Sequence, residues 1–149
     1  MVLSMKRFLY IIIGVVLLMT SCDKETSDNG NLDGLWQMTL MQNDTIYNPE
    51  RDMRSTGITW AFQGHILELR DLKKGNQDII MSFNHDGNKL KVFAPYRVDR
   101  DSDDIVINDV TLLLPYGIGN TTAEYRITEL SGSRMILDDD VWHLEFRKY

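Results

Sequence analysis

Gly34-Leu35-Trp36-Gln37-Met38-Thr39-Leu40-Met41 is the stretch on which the reading of this chain turns. Trp36, Met38 and Leu40 share one side of an alternation, and Gln37 and Thr39 take the other. A period of two marks a strand with one buried and one wet face, because successive side chains of extended backbone point to opposite sides. The rhythm recurs along the chain. Residues 58–63 turn Ile58, Trp60 and Phe62 inward, residues 65–70 turn Leu67 and Leu69, and residues 78–84 turn Ile79, Met81 and Phe83. Residues 89–93 set Lys89 and Lys91 outside, with Leu90 and Val92 inside. Ala123, Tyr125 and Ile127 share a face within 121–130; Met135 and Leu137 follow, then Trp142, Leu144 and Phe146 within 141–147.

Turn residues separate these runs. Asp86-Gly87 is a hairpin signal, and Lys73-Lys74-Gly75-Asn76 and Ser131-Gly132-Ser133 also turn the chain. Pro95 ends its run or puts it at an edge. Residues 105–114 read as a further strand bulged near Asn108-Asp109, and 115–120 as a loop. The longest connection, 43–57, reads as a loop or short helix after Asn48-Pro49. Strands at roughly 8–12-residue spacing, with no long helical pattern, indicate a sandwich or barrel. Hairpin turns throughout favour up-and-down order, and closing eight such strands removes every exposed edge. The expected fold is therefore all-β: an antiparallel up-and-down barrel of eight strands, or nine.

Before the domain lies a different kind of sequence. Lys6 and Arg7 precede an apolar run from Phe8 to Met19, which ends at Thr20-Ser21-Cys22. That run falls short of the about 20 residues a membrane-spanning helix needs and matches a secretory signal. Translation starts at Met1 or Met5. Residues 1–21 are read as the leader, 22–31 as a polar tether beginning at Cys22, and 32–149 as the folded domain. Cys22 is the only cysteine, so no intramolecular disulfide is available.

Two resemblances follow from these residues. The leader resembles the signal and lipobox of a bacterial lipoprotein, with Met19 where a leucine is usual. It implies that Cys22 is lipidated and that the chain is exported and anchored in the cell envelope, at the outer membrane. Gly34-Leu35-Trp36 resembles the Gly-x-Trp motif that opens the first strand of lipocalins, and the last three runs resemble those of small lipocalin-like lipoproteins from Bacteroidetes. That likeness implies that Gly34 and Trp36 form the base of a barrel. It also implies an arginine near the chain's end beside the tryptophan. Arg126 and Arg147 are the candidates, although alternation sets both on the outward face.

Charge and motif content narrow the function. The chain carries a net −6, and loss of Lys6 and Arg7 with the leader makes it −8. An acidic surface repels phosphate backbones, which argues against nucleic acid as a partner. There is no Gly-x-Ser-x-Gly, phosphate loop or His-Glu-x-x-His, so the reading is a binding protein and not an enzyme. His65, His85 and His143 are too scattered to suggest a metal site, with His65 alone on a cavity-facing side. Asp99-Arg100-Asp101-Ser102-Asp103 opens like a calcium loop, but Asp104 and Val110 stand where glycine and glutamate are needed. No cofactor is expected. The leading expectation is a monomeric, lipid-anchored barrel that holds a small hydrophobic or amphipathic ligand. Tyr47, Met53, Trp60, Phe62, Leu67, Met81, Phe83, Tyr125, Trp142 and Leu144 would line its pocket, Tyr47 and Met53 at the mouth. The alternative is a filled barrel that docks a protein or glycan through its surface.

Overall fold

The computed structural model describes residues 29–45, 50–97 and 103–149. Cys22, Tyr47 and the charged turn at 99–102 lie outside them. Ten strands run in chain order: β1 Gly34–Asn43, β2 Glu50–Asp52, β3 Ile58–Gln63, β4 Ile66–Asp71, β5 Ile79–Asp86, β6 Lys89–Arg97, β7 Ile105–Val106, β8 Thr122–Leu130, β9 Arg134–Asp138 and β10 Trp142–Lys148. Eight of them, without β2 and β7, follow one another around a closed antiparallel barrel, which β10 seals by pairing with β1. The short β2 pairs with β1 above the point where β3 leaves it, and β7 pairs with the end of β6.

Alternation places the core as expected, with one instructive exception. Trp36, Met38, Trp60, Phe62, Leu67, Leu69, Ile79, Met81, Phe83, Leu90, Val92, Tyr125, Met135, Leu137, Leu144 and Phe146 are all buried. Leu40 is not among them. A bulge between Met38 and Leu40 shifts the register, so Met41 turns inward opposite Leu144 while Leu40 faces out opposite Glu145. One inserted residue reverses every later side chain of the strand. Trp60 stands at the centre of an aromatic group, its ring 5.1 Å from Phe146 and 6.0 Å from Tyr125.

Pro95 does not end its strand. β6 runs through it to Arg97, because Ala94 adopts a positive φ of 52° and the register against β5 slips at that point. Such a bulge leaves the proline's missing N–H without a ladder partner to lose. The run 105–114 is also not one strand. After the two residues of β7 the chain forms two 3-10 turns, Val110–Leu112 and Leu114–Tyr116.

One end of the barrel is shut by its own N-terminal approach. Residues Gly30–Leu32 make a 3-10 turn that buries Leu32 completely. The Leu32 carbonyl accepts the indole N–H of Trp36 at 2.7 Å. Among the described residues no arginine covers that ring. Lys148 does: its Nζ stands 4.9 Å from the ring centroid and donates to the Asn31 carbonyl at 2.8 Å. Arg147 points outward to Gln37 instead, as alternation requires.

Candidate functional site

The opposite end carries the long connection from β6 to β8, and that connection reaches into the barrel. Leu113, Tyr116 and Ile118 have no exposed surface. Two interior donors hold the segment by its backbone. The Trp60 Nε1–H donates to the Tyr116 carbonyl at 3.2 Å, and the Tyr125 hydroxyl to the Gly117 carbonyl at 2.8 Å. Gly117 sits at φ 77°, and a Cβ there would lie 2.6 Å from Leu144 Cδ2, so only glycine fits between the segment and β10. Burial pushes the Tyr125 phenol well above its ordinary range, and the nearby Asp139 adds to this, so the hydroxyl stays a donor.

The segment settles where the expected pocket residues lie. Trp60, Phe62, Leu67, Met81, Phe83, Tyr125 and Leu144 are each at most 2% exposed. A side chain with no accessible surface borders no void that admits water, so these seven are packed core and not the lining of an open pocket. Met53 is core as well, 2% exposed, with its N–H bonded to the Thr39 carbonyl; it is not a gate. His65 lies exposed in the β3–β4 turn. Among the described residues of the expected set, Trp142 borders the open space at the barrel mouth.

That space is a cleft of about 820 Å3 above the inserted segment, lined by Met41, Asn43, Glu50, Arg51, Asp52, Asn76, Thr111, Leu114, Pro115 and Trp142. Met41 and Trp142 come from the meeting ends of β1 and β10, which pair Asn43 with Trp142. Leu114 and Pro115 come from the second 3-10 turn, where proline at a first helical position loses nothing by lacking an N–H. Thr111 is fixed by Asp109, which accepts both its N–H and its hydroxyl. Asn76 is set by Asp71, a 4% exposed carboxylate that accepts the N–H groups of Lys73, Gly75 and Asn76 and the Asn76 side chain. Burial alone would raise the Asp71 pKa; those hydrogen bonds outweigh it and hold the carboxyl below its ordinary range.

Most of these residues escape a reading of the sequence. Met41 is hidden by the β1 bulge, and Leu114 and Pro115 by an apolar run that fits a strand as well as a turn. Glu50, Arg51 and Asp52 belong to a three-residue strand too short for any periodicity. Among the described residues no cluster of histidine, cysteine and carboxylate side chains has metal-binding geometry.

An eight-stranded up-and-down barrel, shut at one end beneath a tryptophan and clefted at the other, is the architecture of the small-molecule-binding barrels. The chain belongs to the lipocalin-like domain family, which matches residues 17–149. Its fold is similar to that of a lipocalin-like protein from Bacteroides uniformis ATCC 8492, at 19% identity over 80% of this chain and 100% of that one, with a TM-score of 0.59. It is also similar to an uncharacterized protein from Bacteroides eggerthii DSM 20697, at 14% identity over 79% of this chain and 99% of that one, with a TM-score of 0.54. No curated protein matches the chain.

Proposed function

We propose that this protein is a lipid-anchored envelope carrier that takes a small amphipathic molecule in the cleft at the barrel mouth. The observation that carries the reading is the cleft itself. Its volume of about 820 Å3 falls within the roughly 300–1,000 Å3 of small-molecule sites. Met41, Leu114, Pro115 and Trp142 offer it apolar surface, and Asn43, Asn76 and Thr111 offer hydrogen bonds.

The cost of entering the interior favours the mouth as the ligand's place. Entry into the barrel requires withdrawal of Leu113, Tyr116 and Ile118, each buried at about 1.5–3 kcal/mol, plus two hydrogen bonds of about 1 kcal/mol each. The sum is of the same order as the whole binding free energy of a micromolar ligand, about 8 kcal/mol. The cleft demands no such displacement.

The anchor at Cys22 rests on the leader and lipobox. It fits the position of the base, since the chain enters the barrel where Asn29 bonds the Gly64 carbonyl. A lipid on Cys22 then holds the closed end towards the bilayer and turns the mouth away from it. Two or more acyl chains make such anchoring stable.

The reading is tested by titrating the domain with a fluorescent apolar probe. Saturable binding near one probe per molecule is expected. Leu114→Asp, in the cleft wall, should weaken it at least about tenfold. Absence of saturation with the folded domain rejects the carrier. A second reading, docking of a protein, draws on the packed interior and on exposed Ile105 and Val106 (40% and 66%) beside Leu112. Copurification of one stoichiometric partner, lost in Val106→Asp, would favour it.

A further inference from the structure

We propose that the cleft selects an organic anion with an apolar body, and that Arg51 binds its charged group. This rests on the cleft being the ligand site and adds the chemistry of what enters it. Among the described residues Arg51 is the only basic one in the lining. Its direction follows from register. Arg51 pairs with Met41 across β1–β2, and Met41 pairs with Leu144 across β1–β10. Residues directly opposite in an antiparallel pair share a face. Met41 and Leu144 are core side chains, so Arg51 stands on the inward face of the mouth.

Its acidic neighbours do not cancel it. Glu50 and Asp52 also border the cleft, but they pair with Gln42 and Leu40 and so leave β2 on the face opposite to Arg51. The Asp52 carboxylate is taken up by Arg54, whose NH2 lies 2.7 Å from Oδ2. Among the described residues no carboxylate pairs with Arg51. The cleft thus joins one uncommitted guanidinium to the apolar surface of Met41, Leu114, Pro115 and Trp142. A guanidinium keeps its charge at any physiological pH and presents paired donors to a carboxylate, sulfonate or phosphate. The net charge of −6 does not override it. At physiological salt, exposed charges are screened beyond about 8 Å, whereas a bound anion touches Arg51 directly.

The test uses residues 29–149, since every barrel pairing and every described core side chain lies within that span. Two probes share one aromatic body and differ in a single charged group: phenylnaphthylamine, which is neutral, and anilinonaphthalene sulfonate. The sulfonate should bind at least about tenfold more tightly, as a charge-assisted hydrogen bond allows. Its advantage should shrink as salt rises. Arg51→Gln should abolish the preference, bringing the ratio of the two affinities to about one, and Arg51→Lys should keep part of it. Circular dichroism and thermal melting establish that each variant is folded. Equal affinity of the two probes in the wild type overturns the anion preference and leaves the cleft as a neutral site. Retention of the preference in Arg51→Gln overturns the role of Arg51. If neither probe binds, the cleft is not a ligand site and both conclusions fall.

Discussion

Tyr125 and Gly117 are joined by a hydrogen bond that runs from the barrel wall to the segment filling its mouth, the Tyr125 hydroxyl donating to the Gly117 carbonyl at 2.8 Å. Both residues are buried. The bond fixes the backbone beside the second 3-10 turn, and that turn supplies Leu114 and Pro115 to the cleft. Core packing and site geometry are therefore set by the same contact. Tyr125→Phe leaves a buried carbonyl without its donor, which costs about 1–3 kcal/mol. Urea unfolding should record that loss. A change below about 0.5 kcal/mol would mean the hydroxyl is not what holds the segment.

Gly117 gives a second, sharper test. Gly117→Ala places a Cβ 2.6 Å from Leu144 Cδ2 at a φ of 77°. Overpacking and the left-handed backbone together should cost about 2–4 kcal/mol. At Gly64, with φ 60° and nothing within 4 Å, the same change meets only the backbone penalty of about 1–2 kcal/mol. In the Leu144→Ala background Gly117→Ala should cost less, and this non-additivity identifies the steric contact. Additive effects in the double-mutant cycle would refute it.

The base predicts an unequal pair of effects. Trp36→Ala removes a completely buried indole whose N–H is bonded to the Leu32 carbonyl, and should cost about 3–5 kcal/mol. Lys148→Met removes the cation over that ring, worth about 0.5–1 kcal/mol at an exposed site, and its hydrogen bond to the Asn31 carbonyl, worth about 1 kcal/mol. Thermal unfolding of the two variants should preserve this order.

On the outer face His143 is held between two carboxylates, its Nδ1 against Asp138 Oδ1 at 2.5 Å and its Nε2 against Glu145 Oε1 at 3.3 Å. Partial burial of the ring disfavours its charge, but hydrogen bonds and attraction from Asp138 and Glu145 outweigh it and raise the pKa above 6.5. Burial likewise opposes the charged forms of Asp138 and Glu145. The His143 and Thr128 bonds prevail at Asp138, and the Arg134 and His143 bonds at Glu145; both pKa values fall below 3.8 and 4.5 respectively. A raised histidine stabilises the fold fully below 6.5 and progressively less as pH climbs through its folded pKa. Lowered carboxylates stabilise above 4.5 and lose their effect as pH falls through theirs. The cluster therefore contributes most between 4.5 and 6.5. Stability should decline as pH rises past 6.5 through the raised folded pKa, and His143→Gln should flatten that slope. An unchanged slope would exclude the clamp as its source.

The anchor proposal has its own measurement. Wild-type full-length chain expressed in bacteria should incorporate labelled fatty acid and partition into detergent, and Cys22→Ser should do neither. Equal behaviour of the two would overturn lipidation at Cys22.

The inward set from Trp36 to Phe146 was legible in the sequence because side-chain alternation is a local property of extended backbone. The barrel class followed from it, since eight half-buried strands joined by tight turns have few ways to hide their edges. Where the local rule breaks, only tertiary structure decides. The β1 bulge exchanges Leu40 for Met41, because the pairing partners on β10 determine which residue is extra. Residues 110–114 carry an apolar pattern that suits a strand. They become part of an inserted segment because Trp60, 56 residues from Tyr116 in sequence, and Tyr125 across the barrel wall offer donors to the Tyr116 and Gly117 carbonyls. The same holds for the cleft. Met41, Arg51, Asn76, Leu114 and Trp142 lie on separate elements, and no spacing along the chain records that closure of β10 on β1 gathers them around one mouth.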